Sequence, residues 1–170
     1  MIQPDLDHVP PFYKGYVDCV KHMDLYEALE KSSTEALALV STIAEDKGEY
    51  RYQPDKWSIK EVLCHVIDAE RIFAYRALRF ARQDKTNLHK FEENDYAPRA
   101  NAHARSLSAI AGELSRLRAS TLDLYKSFTP AMLAYTGSAN NTEVSVLNLG
   151  FIIAGHEAHH CSILQQRYLS

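Results

Sequence analysis

Two histidines, His156 and His160, stand four residues apart in an otherwise apolar segment near the end of the chain. In an α-helix, residues at this spacing lie one turn apart on one face, separated by about 40° around the axis. The large apolar residues that share this face are Leu149, Ile152, Ile153, Ile163 and Leu164. Both imidazoles are therefore predicted to point into the core, close enough to bind one metal ion.

A third histidine, His65, lies inside a second apolar segment, Val62–Ile67. Neutral imidazole is a good ligand for zinc, nickel, copper and iron, and helix bundles build metal sites from side chains on facing helices. Three protein ligands leave a coordination position open for water or substrate, as in catalytic zinc sites. A metal on His65, His156 and His160 would activate a bound water or thiol near neutral pH, so these residues predict a catalytic metal centre.

The same histidines allow two other interpretations. A buried histidine is often a core residue that is hydrogen-bonded to a backbone carbonyl, so a purely structural bundle is one alternative. His156–His160 also spells the HExxH pattern of zinc proteases, with Glu157 at the general-base position. That pattern needs a third ligand downstream, and only ten residues follow His160. We therefore do not favour a protease, but we keep Glu157 as a candidate general base.

Four other polar residues near these faces are candidates for supporting roles. Asp68, one turn after His65, could orient its imidazole, and His159 could flank the metal site. The alternative for both is an ordinary surface position. Arg76 and Arg118 could anchor a carboxylate of a small-molecule substrate, and the alternative for them is an ion pair with a carboxylate of the core.

Long segments of helical periodicity, with glycine and proline at their edges, predict an all-α fold. No alternating pattern bounded by hairpin turns stands out, so no strands are expected. We predict a short N-terminal helical segment and four long helices, which together favour a four-helix bundle. A short helix, Leu25–Glu30, is predicted after a cap at Asp24, and the first long helix follows it to about Ala44. The other three long helices are predicted from the Ser58 cap to about Arg82, at about Ala102–Phe128 and at about Glu143–Tyr168.

Ser58 and Glu61 fit a capping box at the start of the second long helix, with Trp57 packing just before it.

Two connections between the predicted helices are polar. The connection Gln83–Arg99 is seventeen residues long, and such loops are often functional lids or crossovers. We expect it to help cover a pocket. Gly137–Thr142 is predicted to be a polar loop.

Composition narrows the class of protein. The 170 residues suit a single domain, 1–170, and 46% are hydrophobic. A net charge of −3 and a pI near 6.2 argue against nucleic-acid and membrane partners. Three cysteines without a CxxC pair are not expected to form a disulfide framework, and the first residues do not have the pattern of a signal peptide, so we expect a cytoplasmic protein.

Two motifs also resemble a known family. The segment Trp57–Arg71, WSIKEVLCHVIDAER, is similar to the second-helix signature of the DinB/YfiT-like superfamily, and Gly155–His160, GHEAHH, is similar to its last-helix signature. The segments Phe73–Leu78 and Glu113–Arg118 are also similar to members of that family. The resemblance covers about residues 12–168, and the two motifs occur in the family's order.

This resemblance implies an up-up-down-down four-helix bundle that binds a divalent metal, nickel or zinc, at His65, His156 and His160. Members with known activity resemble S-transferases or isomerases that use a low-molecular-weight thiol such as bacillithiol, mycothiol or glutathione. The family also implies a homodimer.

Three hypotheses follow from the sequence. The first is a metal-dependent enzyme with thiol-transferase or hydrolase-like chemistry on a small molecule. The second is a non-enzymatic metal-binding or stress-related protein of the same fold. The third is a structural bundle whose histidines are simply buried and hydrogen-bonded.

Overall fold

A computed structural model describes all 170 residues, most of which lie in helices. The helices are α1 (Lys14–Val20), α2 (Leu25–Ser41), α3 (Ile59–Ala81), α4 (Glu93–Tyr96), α5 (Leu107–Lys126), α6 (Pro130–Ala134) and α7 (Val146–Ile163), and the strands are β1 (Thr136–Ala139) and β2 (Thr142–Ser145). Short 3-10 turns occupy Leu6–His8, Pro11–Tyr13, Glu45–Glu49, Ala97–Arg99 and Ala102–Ala104, and a π-helical turn, Leu164–Tyr168, follows α7. None of the helices combines the length and the apolar character that crossing a membrane would need.

Four long helices form the bundle, as predicted. Helix α7 packs against α2 and α3, and α5 packs against the same two helices from the other side. Consequently α2 lies diagonally opposite α3, and α5 lies diagonally opposite α7. The short helix α1 packs on α7 and closes one end of the groove between α7 and α3.

Two apolar clusters, one at each end of the bundle, give the helix directions. One cluster contains Leu25 from the start of α2, Phe80 from the end of α3, Tyr125 from the end of α5 and Leu149 from the start of α7. The other contains Val40, Ile59, Leu107 and Leu164, from the opposite ends of the same helices. Helices α2 and α7 therefore run in one direction and α3 and α5 in the opposite one, which is an up-down-down-up order along the chain. The up-up-down-down order implied by the family resemblance is wrong for this chain.

Helix starts were predicted well, because capping residues mark them locally. Ser58 Oγ accepts a hydrogen bond from the Glu61 amide, and Glu61 Oε2 accepts one from the Ser58 amide, which confirms the capping box of α3. Asp24 caps α2 through the Tyr26 amide. The predicted boundary at Glu30 is wrong, because α2 continues through it without a break.

Two predicted helices begin later than expected. Ser106 caps α5 by accepting a hydrogen bond from the Ala109 amide, so the helix starts at Leu107 rather than near Ala102. Ser145 caps α7 in the same way through the Asn148 amide. In both cases the pattern that predicted the helix extends to residues before the cap, and these residues are not part of the α-helix.

The segment predicted as a polar loop, Gly137–Thr142, belongs to a β-hairpin, so the expectation of no strands is wrong. Strands β1 and β2 pair in antiparallel register with Ala139 opposite Thr142. Asn140 and Asn141 form the turn, and both have positive φ, 53° and 57°. This is the conformation of a type I′ turn, which asparagine tolerates well.

The hairpin also organises the long connection between α3 and α5. Leu88 donates its amide to the Ser138 carbonyl at 2.9 Å and accepts from the Asn140 amide at 2.8 Å. These bonds extend the small sheet by one residue and hold the connection against the bundle. A Cβ on Gly137 would overlap the Phe80 ring, so glycine allows the hairpin to lie directly on α3.

Candidate metal centre and adjoining pocket

The three histidines predicted from the sequence converge. Nε2 of His156 lies 3.0 Å from Nε2 of His65 and 3.1 Å from Nε2 of His160. One ligand atom from each residue lies within 4.8 Å of the other two, so the cluster could hold a metal ion. The spacing arises because α3 and α7 are antiparallel neighbours, which brings the first turns of α3 against the last turns of α7.

All three imidazoles are held in the neutral form. Burial lowers the pKa of His65 to about 4 and that of His160 to about 3. Burial and the neighbouring histidines also place the pKa of His156 well below its ordinary value. Neutral nitrogen is the form that coordinates a metal ion, so near pH 7 these residues need not lose protons before binding one.

Two aromatic residues hold the imidazoles in position. The Trp57 ring lies against His65 with centroids 4.8 Å apart, and the Tyr16 ring meets His156 edge-on at 5.1 Å. Tyr16 reaches this position because α1 packs directly on α7 at Gly155, where a Cβ would overlap the Tyr16 carbonyl oxygen. The glycine of the GHEAHH segment is therefore a packing requirement of the site.

A cavity of about 310 Å³ opens onto two of the histidines, His65 and His156. One wall is aromatic and consists of Phe12, Tyr13, Tyr16, Phe73 and Phe91. Other walls come from Lys90–Glu93 of the long connection and from the hairpin turn at Asn140. The size is at the lower end of the range for small-molecule sites. The expectation that the Gln83–Arg99 connection helps cover a pocket is confirmed by this lining.

The structure brings Arg76 to this cavity. Its side chain is buried, donates one hydrogen bond to the His89 carbonyl at 3.1 Å, and lies over the Phe73 ring at 5.8 Å. No carboxylate oxygen lies within 4.0 Å of its guanidinium. Arg76 therefore carries a charge inside the cavity wall without an acidic partner.

Arg118 lies elsewhere, at the centre of the bundle. It is 2% exposed and forms a bidentate pair with Glu70, with distances of 2.9 and 2.8 Å. Its remaining donors bind the Leu29 carbonyl and the Ser32 hydroxyl. Because these partners occupy the guanidinium and Arg118 does not line the cavity, the core-pairing alternative describes it and the substrate-anchor role does not.

Glu157 also points away from the histidines. Its Oε2 lies 2.9 Å from Arg118 Nη2, at an angle that makes no hydrogen bond, and burial raises the pKa of the carboxyl. Neither Glu157 nor Arg118 borders the cavity. The prediction of Glu157 as a general base is therefore wrong, because one residue of helical rotation separates it from the face that carries His156.

Of the two residues predicted to support the site, Asp68 does not contact the histidines, whereas His159 does. The Asp68 carboxylate lies 3.8 Å from Arg71 Nη1 and makes no hydrogen bond to His65, so it does not orient that ring. His159 is half-buried, with its ring 5.2 Å from Tyr16 and 5.3 Å from His160. His159 thus flanks the cluster as predicted, through ring packing.

Residues from the N-terminal segment are the main part of the site that the sequence did not identify. Tyr13 and Tyr16 belong to the short N-terminal helical segment, for which no role in the site was predicted, and they form much of the aromatic wall. Their spacing gives no signal for a pocket, since an aromatic pair at this distance is equally typical of a core-facing turn. Trp57 was expected to pack at the start of α3, and its stacking on His65 was not foreseen.

The sequence matches the model of the DinB superfamily over residues 28–164, which is most of the chain and includes all three histidines. The chain belongs to the DinB superfamily. No curated protein matches it in sequence.

Among solved structures, the fold is similar to that of YfiT from Bacillus subtilis, with a TM-score of 0.75 and 13% sequence identity over 84% of this chain and 82% of that one. YfiT is described as a probable metal-dependent hydrolase with an unusual four-helix bundle topology. At this identity the likeness establishes the shared fold. In this DinB protein, two pairs of long helices that follow one another in sequence, α2 with α3 and α5 with α7, lie diagonally in the bundle.

Proposed function

We propose that this DinB protein is a metal-dependent enzyme acting on a small molecule, with a divalent ion held by His65, His156 and His160. The observation that carries the proposal is the convergence of three neutral imidazoles beside a cavity that two of them, His65 and His156, line. The description of YfiT as a probable metal-dependent hydrolase supports it.

The three residues fit an ion such as zinc or nickel. Nitrogens bound at about 2.0–2.1 Å with octahedral to tetrahedral angles lie about 2.8–3.4 Å apart. The two Nε2 pairs at 3.0 and 3.1 Å agree with this range. In a structural bundle each buried imidazole would be expected to find its own backbone carbonyl, whereas here the Nε2 atoms face one another.

A divalent ion at this site would supply Lewis acidity, which lowers the pKa of a water molecule or thiol bound to it. The protein contributes the surroundings. His65 and His156 border the cavity, so a bound substrate lies on their side of the cluster, while His160 lies behind them. Tyr16 and Phe73 pack against His156 and limit the access of bulk water.

Hydrolysis and thiol transfer are the two reactions that we consider for this centre. Hydrolysis needs only water and an activated substrate. Thiol transfer, which the family resemblance suggests, needs a low-molecular-weight thiol as a second substrate. The protein's own thiols do not replace it, since none of the three cysteines lines the cavity. Burial also raises the pKa of Cys161 to about 12 and raises the pKa values of Cys19 and Cys64.

The cavity favours an enzyme over a non-enzymatic metal protein. A purely structural site is expected to have its coordination sphere closed by protein ligands. Only three ligands converge here, and the cavity leads to two of them.

The proposal is tested by the metal content of the natively purified, untagged protein. We expect about one equivalent of a divalent metal by elemental mass spectrometry, and loss of that metal in His65→Ala and His160→Ala with the helical circular-dichroism spectrum retained. The matched control is His22→Ala, because His22 is exposed and distant in sequence from the site.

The reaction is tested with the same samples. Metal-loaded and chelated protein are compared for hydrolysis of p-nitrophenyl acetate and for conjugation of bacillithiol to 1-chloro-2,4-dinitrobenzene. Activity that requires both the metal and His160 supports an enzyme. A protein that retains no metal after loading with zinc or nickel would overturn the proposal.

A further inference from the structure

Two arginines are buried in this bundle, and they differ in one respect. Arg118 and Arg76 are 2% and 5% exposed. Arg118 has a bidentate carboxylate partner in Glu70, whereas Arg76 has no carboxylate oxygen within 4.0 Å. A buried charge is costly unless it is paired and hydrogen-bonded, so the solitary position of Arg76 needs an explanation.

The acidic residues nearest the cavity do not supply a partner. Glu92 and Glu93 line the same cavity as Arg76, but neither forms an ion pair with it. Glu92 is exposed and accepts a hydrogen bond from Asn94 at 3.3 Å. Glu93 lies near Tyr16, where burial and the Glu93 charge together raise the pKa of the tyrosine hydroxyl. The only hydrogen bond that Arg76 donates goes to the His89 carbonyl, so most of its five donors remain available.

Arg76 and the histidines share the same cavity. His65 and Arg76 project from α3, separated by eleven positions or about three turns, and the aromatic wall lines the same cavity. Lys90, on the long connection, adds a second cation to the lining. A ligand that spans this cavity would therefore have one end at the imidazole nitrogens and the other at a guanidinium.

We propose that Arg76 is the binding site for a substrate carboxylate, so that the substrate is a small organic acid with an apolar or aromatic body. The guanidinium presents planar, paired donors that match a carboxylate, and the rings of Tyr13, Phe73 and Phe91 contact the body. This inference rests on the proposed function, because it names the substrate class of the same centre.

The test uses ligand-observed NMR with natively purified, full-length protein and two probes of similar shape. 3-Phenylpropionate carries the carboxylate, and 3-phenylpropan-1-ol lacks it. We expect the wild type to bind the acid at least about tenfold more tightly than the alcohol, as charge-assisted hydrogen bonds require. Arg76→Gln is expected to lose that preference, and Arg76→Lys to retain part of it, because lysine keeps the charge but not the paired donors.

Control variants separate this role from folding and from the metal. Arg116→Gln changes an exposed arginine of α5 and is expected to bind the acid like the wild type. His160→Ala removes a proposed metal ligand that does not line the cavity, and it is expected to retain the preference for the acid. Thermal unfolding of every variant identifies any that fails to fold. If Arg76→Gln does not fold, the role of Arg76 is tested by Arg76→Lys, whose preference for the acid is expected to be weaker than that of the wild type.

Three results would overturn the inference. The first is equal binding of the acid and the alcohol to the wild type, the second is no binding of the acid at all, and the third is binding of the acid to Arg76→Gln as tightly as to the wild type. If the preference for the acid disappears in His160→Ala but persists in Arg76→Gln, the carboxylate binds the metal instead, and the proposed function survives without this role for Arg76. A wild type that retains no metal after loading with zinc or nickel, yet still prefers the acid in an Arg76-dependent way, supports this inference while contradicting the proposed function.

Discussion

The indole of Trp57 lies against the imidazole of His65, with the ring centroids 4.8 Å apart and the planes inclined by 46°. The contact joins the residue that precedes the cap of α3 to the residue that α3 presents to the histidine cluster. Trp57 is the only tryptophan of the chain. Its fluorescence therefore reports on the surroundings of His65 without interference from another indole.

Nickel binding is expected to quench Trp57 fluorescence. Ni²⁺ is paramagnetic and would lie close to an indole that contacts one of its ligands. We predict quenching that saturates at about one equivalent of Ni²⁺ and is reversed by a chelator, measured by titration of chelated protein. His22→Ala should quench like the wild type, while His160→Ala should not. Quenching that never saturates, or that is unchanged in His160→Ala, would contradict binding at this cluster.

The pair formed by Arg118 and Glu70 is expected to stabilise the bundle rather than to bind substrate. Removing one member of a buried pair leaves the other charge unpaired, which typically costs about 3–5 kcal/mol. We predict that Arg118→Met lowers the free energy of unfolding by about this amount, measured by urea denaturation. Because Arg118 does not line the cavity, any folded fraction should still bind one equivalent of metal. A change below about 1 kcal/mol would show that this pair is not a major source of stability.

The close packing of α1 on α7 gives a prediction with a matched control. Gly155→Ala would place a Cβ against the Tyr16 carbonyl oxygen, a backbone atom that moves only if α1 moves. We expect a loss of about 1–3 kcal/mol of stability, as for other overpacked sites, and weaker metal binding because Tyr16 no longer packs on His156. Gly15→Ala, in α1 itself, meets no heavy atom within 4 Å and should be neutral or stabilising by up to about 1 kcal/mol. Equal stability of the two variants, measured by thermal and urea denaturation, would contradict the packing argument.

The sequence predicted the histidine cluster because its members occupy inward positions on helices whose phases can be read from apolar spacing. The angular position of a residue around the helix axis shows which face of the helix it occupies, but not which residue it contacts. Arg76 and Arg118 were indistinguishable on this basis, although one faces a cavity and the other a carboxylate. The same limit explains Glu157, since one position along α7 turns it from the histidines towards Arg118.

Nonlocal contacts account for what the sequence did not predict. The hairpin strands are four residues each, too short for a clear alternation, and the turn is Asn140–Asn141 rather than the more familiar asparagine-glycine. Its pairing with Leu88 depends on a chain segment about fifty residues away. The arrangement of the helices in the bundle was also not predictable, because helix lengths do not show which helices lie side by side and which lie diagonally opposite.

The buried histidines predict how the stability of the chelated protein depends on pH. Below pH 6.5 the unfolded chain binds protons at these imidazoles, whereas in the folded protein the pKa is about 4 for His65 and about 3 for His160. Because the unfolded state then binds more protons, the free energy of unfolding must fall as the pH decreases from 6.5 towards 4. About one pH unit or more above 6.5, these imidazoles are almost fully neutral in both states, so they contribute little slope there. We predict a steeper decline over this window for the chelated wild type than for chelated His160→Ala, measured by urea denaturation at pH 7, 6, 5 and 4. Equal slopes for the two proteins would mean that His160 is protonated as readily in the folded state as in the unfolded chain.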